Sequence, residues 1–178
     1  MLTKVFFFYQ CSISSLHFKR MNRASMIKHL LSANDVAIAA AAKGHHPFGA
    51  ILVHPNHRDI LLTQGNVSTV KHAESELVRA AAEQFSSEFL WNCTLVTTVE
   101  PCAMCAATSY WANVGCVVFG ISEETLLKMT GNHSENPTLN LPCRRVFDAG
   151  QKKIQVFGPF NEVEEEIVRV HKSFWSKQ

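Results

Sequence analysis

The run Thr94-Leu95-Val96-Thr97-Thr98-Val99-Glu100-Pro101-Cys102-Ala103-Met104-Cys105 decides how the rest of the chain is read. Its first six residues are apolar or β-branched throughout, the composition of a strand buried on both faces. Pro101 suits the first position of a helix, where its missing N–H would be unpaired anyway. A strand followed by a helix to about Ala112 is therefore expected. Downstream, Cys116-Val117-Val118-Phe119-Gly120 reads as a second buried strand, followed by a short helix over 123–129. Upstream, 72–85 reads as a helix with Leu77, Ala80 and Ala81 on its inner side. Before it, the apolar runs 47–53 and 60–63 form a hairpin, turned by the polar stretch 54–59 and ended by Gln64-Gly65-Asn66.

The ends of the chain extend the same alternation. Residues 25–44 repeat apolar side chains at helical spacing, with Ser25 as the expected cap and Gly44 as the stop. A polar loop over 130–140 leads to a short helix at 142–149 and a last strand, Ile154-Gln155-Val156-Phe157. The final helix, 162–175, is amphipathic, with Val163, Ile167, Val170 and Phe174 on its apolar face. Strands alternating with helices imply one sheet covered on both sides. The expected fold is α/β: a three-layer αβα sandwich with a mixed five-stranded sheet, parallel in the middle and antiparallel at the first hairpin.

At 178 residues and 47% hydrophobic, the chain can bury a real core, and residues 25–178 read as a single domain. With 17 basic against 15 acidic residues there is no strongly basic arm for nucleic acid. No apolar stretch reaches the ~18 residues of a membrane helix. The Val5-Phe6-Phe7-Phe8-Tyr9 run after Lys4 is shorter than the ~7–15 residues of a signal core, and no cleavage site follows it. Residues 1–24 are thus read as a mobile N-terminal extension, or an over-extended start with Met21 or Met26 as later starts. Of the six cysteines, Cys93 and Cys116 lie in apolar runs, and a chain of this size needs no disulfides. A reducing cytoplasm is the expected location.

Two fragments carry chemistry: His72-Ala73-Glu74 and Pro101-Cys102-Ala103-Met104-Cys105, each opening an expected helix. Cys102 and Cys105 are three apart and share a helix face, in a first turn whose free N–H groups favour thiolates. With His72 they make three zinc ligands, leaving a fourth position for water. Zinc lowers the pKa of such a water towards ~7. Glu74 can take its proton and deliver it to a ring nitrogen and a leaving amine. A purely structural zinc site has no use for that carboxylate. Cys102-x-x-Cys105 alone would more simply be a redox pair or structural zinc.

The pattern His-x-Glu followed by Pro-Cys-x-x-Cys is the established signature of zinc nucleobase deaminases. With Phe48-Gly49-Ala50, Asn66 and Tyr110-Trp111, the chain resembles the cytidine deaminase-like superfamily over most of 25–121. The resemblance implies one zinc per chain, Glu74 as the catalytic residue, and hydrolytic release of ammonia by attack of zinc-bound hydroxide. It also implies Asn66 and the Ala73 backbone as substrate contacts, and a homodimer. Asn66 could otherwise simply end the hairpin, while Phe48 and Trp111 either sandwich a base or pack in the core. Pro-Phe-Gly-Ala, Glu-Pro-Cys-x-Met-Cys and Tyr-Trp look most like the guanine and nucleoside deaminase branch. A small-molecule guanine-type purine is the first expectation.

The tRNA adenosine deaminases share this core and are the alternative. They need a positive groove, and near-neutral charge with Glu162, Glu164, Glu165 and Glu166 argues against one. A non-catalytic, zinc-stabilised binding module is a further alternative. The chain beyond residue 121 departs from both family patterns. There, Glu135 with His133 and Asn136 is either a second acid near the site or surface loop. His171, Phe174 and Trp175 are either helix packing or pocket lining, and His45 and His46 are expected in a solvated loop.

Overall fold

The alternation of side chains along three strands builds two cores, one on each face of the sheet. A computed structural model describes residues 21–176 except Asn132 and Glu135. Of the expected extension 1–24, residues 1–20 lie outside the described residues, as does Glu135. Met21 is instead buried in the core, and Arg23 and Ala24 open the first helix, so the expected boundary at residue 24 falls too late. The elements are α1 (Arg23–Ala42), β1 (Gly49–Val53), β2 (Ile60–Gly65), α2 (Ala73–Gln84), α3 (Ser87–Trp91) and β3 (Thr94–Val99). They continue as α4 (Ala103–Trp111), β4 (Cys116–Ile121), α5 (Glu123–Thr130), α6 (Cys143–Asp148), β5 (Gln155–Phe157) and α7 (Asn161–Trp175).

The sheet order is β2-β1-β3-β4-β5. Antiparallel pairs join β1 to β2 and to β3, and parallel pairs join β3 to β4 and β4 to β5. Strands β1, β3 and β4 are buried along their whole length, as their continuous apolar runs require. Ile51, Val53, Val96 and Val118 pack with Leu30 and Ala33 of α1, Leu126 of α5 and Val163 and Ile167 of α7. Ala50, Leu52, Leu95, Val117 and Phe119 face Leu77 and Val78 of α2, Leu90 of α3, Ala106 of α4 and Phe147 of α6. This is the expected three-layer αβα arrangement with a mixed five-stranded sheet.

Local details differ from the sequence reading. The cap of α1 is Asn22, whose Oδ1 accepts from Ser25 N at 2.8 Å, so Ser25 is the capped residue. Pro101 lies one residue before the α4 cap, Cys102, rather than inside the helix. Helix α3 was not expected; Ser86 caps it through Phe89 N, but five residues are too few for helical periodicity to register.

Candidate active site

The strand direction changes between β1 and β3, and the site forms at the C-terminal ends of β3 and β4, where open α/β sheets leave a crevice. Helix α2 follows β2 and helix α4 follows β3, and their N-termini meet there. His72 is the N-cap residue of α2 and Cys102 that of α4, and neither side chain makes a capping bond. Both are thereby left to point into the crevice. Cys105, in the first turn of α4, is fully buried.

His72 Nδ1 lies 3.6 Å from both Cys102 Sγ and Cys105 Sγ. Zn–S near 2.3 Å and Zn–N near 2.0–2.1 Å in a tetrahedron put such donors about 3.6 Å apart, so the three atoms fit zinc. All three ligand atoms lie within 4.8 Å of one another, and this is the only such cluster among the described residues. Without metal, these groups share protons. The Cys105 thiol and His72 hold Cys102 down at about 4. The Cys102 partner pushes His72 up to about 9. Cys105 is held protonated by its bond to Cys102 and by burial. A metal would displace these protons.

Glu74 is 4% exposed. Its Oε1 accepts from Thr97 Oγ1 at 2.8 Å, and Cys105 Sγ lies 3.5 Å from Oε2. Burial raises its pKa, with the Cys102 charge adding to the rise. The sequence reading missed Thr97. Its signal was a hydroxyl on the side of β3 that Leu95 turns towards α2 and α4. Glu123 was missed as well, because an acid in a first turn reads as an ordinary match to the helix dipole. It is 8% exposed, and burial followed by the charges of Cys102 and Glu74 pushes it up to about 8.

Phe48 lies nearly parallel to the His72 ring, with centroids 6.5 Å apart and planes at 9°. His171 meets the Phe48 ring edge-on at 5.1 Å. Asn66 is buried next to it: its N–H donates to Phe48 O at 3.0 Å, and its Nδ2 donates to Ser68 O at 3.2 Å. Ala73 is fully buried between His72 and Glu74. Trp111 is not brought to the cluster. It is 80% exposed, and nine residues of helix put it about 13 Å along the axis from Cys102. It shares an outer surface with Val78, Arg79, Met104 and Ala107.

His46 also departs from expectation. Instead of standing in solvent, its ring packs 4.9 Å from Trp175 and 5.9 Å from Phe174. His133 meets Trp175 from the polar loop at 5.0 Å. His171 is fully buried, and its Nδ1 accepts from Trp175 Nε1 at 3.3 Å.

A mixed sheet carrying two cysteine sulfurs, an imidazole and a buried carboxylate at one strand end fits a zinc-dependent hydrolytic deaminase of nucleobases or nucleosides. The zinc-binding region of the cytidine and deoxycytidylate deaminases matches residues 24–121, and the chain belongs to that family. A probable cytosine deaminase of Schizosaccharomyces pombe is 34% identical over 153 residues, 84% of this chain and 91% of that protein. A tRNA-specific adenosine deaminase of Haemophilus influenzae is 36% identical over 101 residues, 54% of this chain and 58% of that one. The solved structure of a guanine deaminase from Nitrosomonas europaea shares the fold. Its TM-score is 0.66 at 16% identity, covering 83% of this chain and 82% of that one.

Proposed function

We propose that this enzyme removes the exocyclic amine of a small free nucleobase or nucleoside, with a guanine-type purine as its first candidate substrate. The observation that carries the catalytic reading is Glu74, a buried carboxylate beside three donors that fit zinc with one position to spare. Zinc held by His72, Cys102 and Cys105 would supply a water of lowered pKa. Glu74 takes a first water proton at Oε2, Oε1 being held by Thr97, and delivers it to the ring nitrogen. It then passes a second proton, from the hydroxyl added to the ring carbon, to the amine as the C–N bond breaks. The ring carbon becomes a carbonyl and ammonia leaves.

In this proposal Phe48 lines the base pocket, Asn66 offers its amide to the base edge, and the Ala73 backbone supports the ring. Trp111 takes no part in base binding within one chain. Its apolar surroundings on α2 and α4 are instead the proposed face of a homodimer. Trp111→Glu should then shift the sedimentation coefficient from dimer to monomer; an unchanged coefficient rejects this face. The chain is proposed to work in the cytoplasm. Cys93 and Cys143 are buried free thiols, and no described helix is long and apolar enough to cross a membrane.

The guanine reading is supported by the motif branch and by the likeness of fold to a guanine deaminase. Cytosine is the second reading, favoured by the relative that matches over most of its length. Near-neutral charge and the acidic start of α7 weigh against tRNA. Ammonia release from guanine, cytosine, adenosine and a tRNA anticodon stem decides among them. Glu74→Gln should keep zinc and fold while turnover falls by at least ~100-fold. Retained turnover would remove Glu74 from the chemistry, and no ammonia from the native protein with any of these substrates would leave a zinc-stabilised binding module.

A further inference from the structure

Glu100 sits between the last residue of β3 and Pro101-Cys102, and it is 6% exposed. Its backbone N–H extends the β3–β4 ladder, donating to Ile121 O at 2.8 Å. A buried carboxylate costs stability unless its oxygens are paired, and here both are. Oε1 accepts from Cys143 N at 3.0 Å, and Oε2 accepts from Glu123 N at 3.3 Å. Those two amides are the first of α6 and of α5. The α6 cap residue is Pro142, whose side chain has no acceptor. In α5, Ser122 Oγ is occupied with Thr125 N. One carboxylate thus completes two helix N-termini, and the segment from the start of α5 to the start of α6, which carries the polar loop, is tied at both ends to the residue two before a metal ligand.

The loop has a path of rings back to the site. His133 packs on Trp175, Trp175 on His46, and His46 lies 6.4 Å from Phe48, which covers His72. Moving the anchored starts of α5 and α6 therefore moves the wall a bound base would meet, with no need to move the ligands. We propose that Glu100 is a positioning residue: by holding α5 and α6 together it sets the mouth of the site and governs how well substrate binds.

This rests on the deaminase reading, so the native enzyme's ammonia release is the control. Glu100→Gln keeps the shape but offers one good acceptor to two donors. It should keep full zinc content, raise KM at least tenfold and leave kcat within about threefold, measured with a base the native enzyme deaminates. Amide exchange at Glu123 and across 133–141 should quicken at least tenfold. Cys143→Pro is the second probe. Proline is tolerated at a first helical position; it removes that N–H from the pair together with the buried Cys143 thiol, and it should raise KM in the same way. Unchanged KM in either folded variant overturns the proposal, as does a KM rise that tracks zinc loss. If the native enzyme deaminates no base tested, the substrate reading fails separately. Unchanged exchange at Glu123 in Glu100→Gln would then overturn the positioning role alone.

Discussion

Thr97 has one hydroxyl proton and two acceptors in reach: Glu74 Oε1 at 2.8 Å and Gly49 O at 3.3 Å. The shorter contact fixes the carboxylate that must reach both a water and a base. A hydrogen bond to a charged group contributes about 1.5–3 kcal/mol, and about 1.4 kcal/mol is tenfold in rate. Thr97→Val should therefore lower kcat by about tenfold or more while zinc content and fold persist, and Thr97→Ser should restore most of it; steady-state kinetics with metal analysis checks this. His72→Ala should instead abolish stoichiometric zinc, read by metal analysis of the purified protein. The ligands were legible because few uses of His, Glu and Cys at that spacing exist. Thr97 was not, because threonine in a strand is equally a β-former. Where Trp111 stands was not legible either: residue type says aromatic, and only the fold shows it exposed on the outer face of α4.

At the scale of elements, α1 lies on β1 because residue 49 has no side chain. A Cβ on Gly49 would overlap the backbone of Ala33 and Ala37, so the glycine of Phe48-Gly49-Ala50 is a packing requirement and not a pocket feature. Gly49→Ala should destabilise the protein by about 1–3 kcal/mol, the range of overpacked cores, and a lowered urea midpoint with an unchanged m-value checks it. Strand positions were readable from continuous apolar runs, and strand directions from the need for a helical crossover between parallel strands. The order β2-β1-β3-β4-β5 adds what periodicity does not carry, namely that β1 sits between β2 and β3. The caps were harder to read. Asn22 and Ser25 are both good capping residues three apart, and only the backbone geometry chooses between them. Glu100 lay outside any local pattern, since the helices it caps begin 23 and 43 residues later.

For the whole molecule, the metal site and α7 act as separate clasps. Zinc joins α2 to α4 on one side of the sheet, so chelation should lower the melting temperature as well as abolish turnover, with recovery of both on adding zinc. On the other side α7 folds against α1. The Arg23–Glu162 pair at 2.7 Å is exposed at both ends and contributes little; the clasp is made by Val163, Ile167, His171 and Trp175, all buried. His171 makes this clasp sensitive to acid. It packs against Phe48 and Trp175, and its Nε2 has no hydrogen-bond partner among the described residues. Burial first, then the nearby His46, pushes its pKa down to about 3. An unfolded histidine titrates near 6.5. Between those values the unfolded chain binds a proton that the folded chain refuses, so stability falls as pH drops below about 6.5 and is unaffected by this group above it. At pH 5 the loss is about 2 kcal/mol. Urea unfolding of the zinc-free protein at pH 7.0 and 5.0 should show that difference shrinking in His171→Phe; an equal pH dependence in the two proteins would place the acid sensitivity elsewhere.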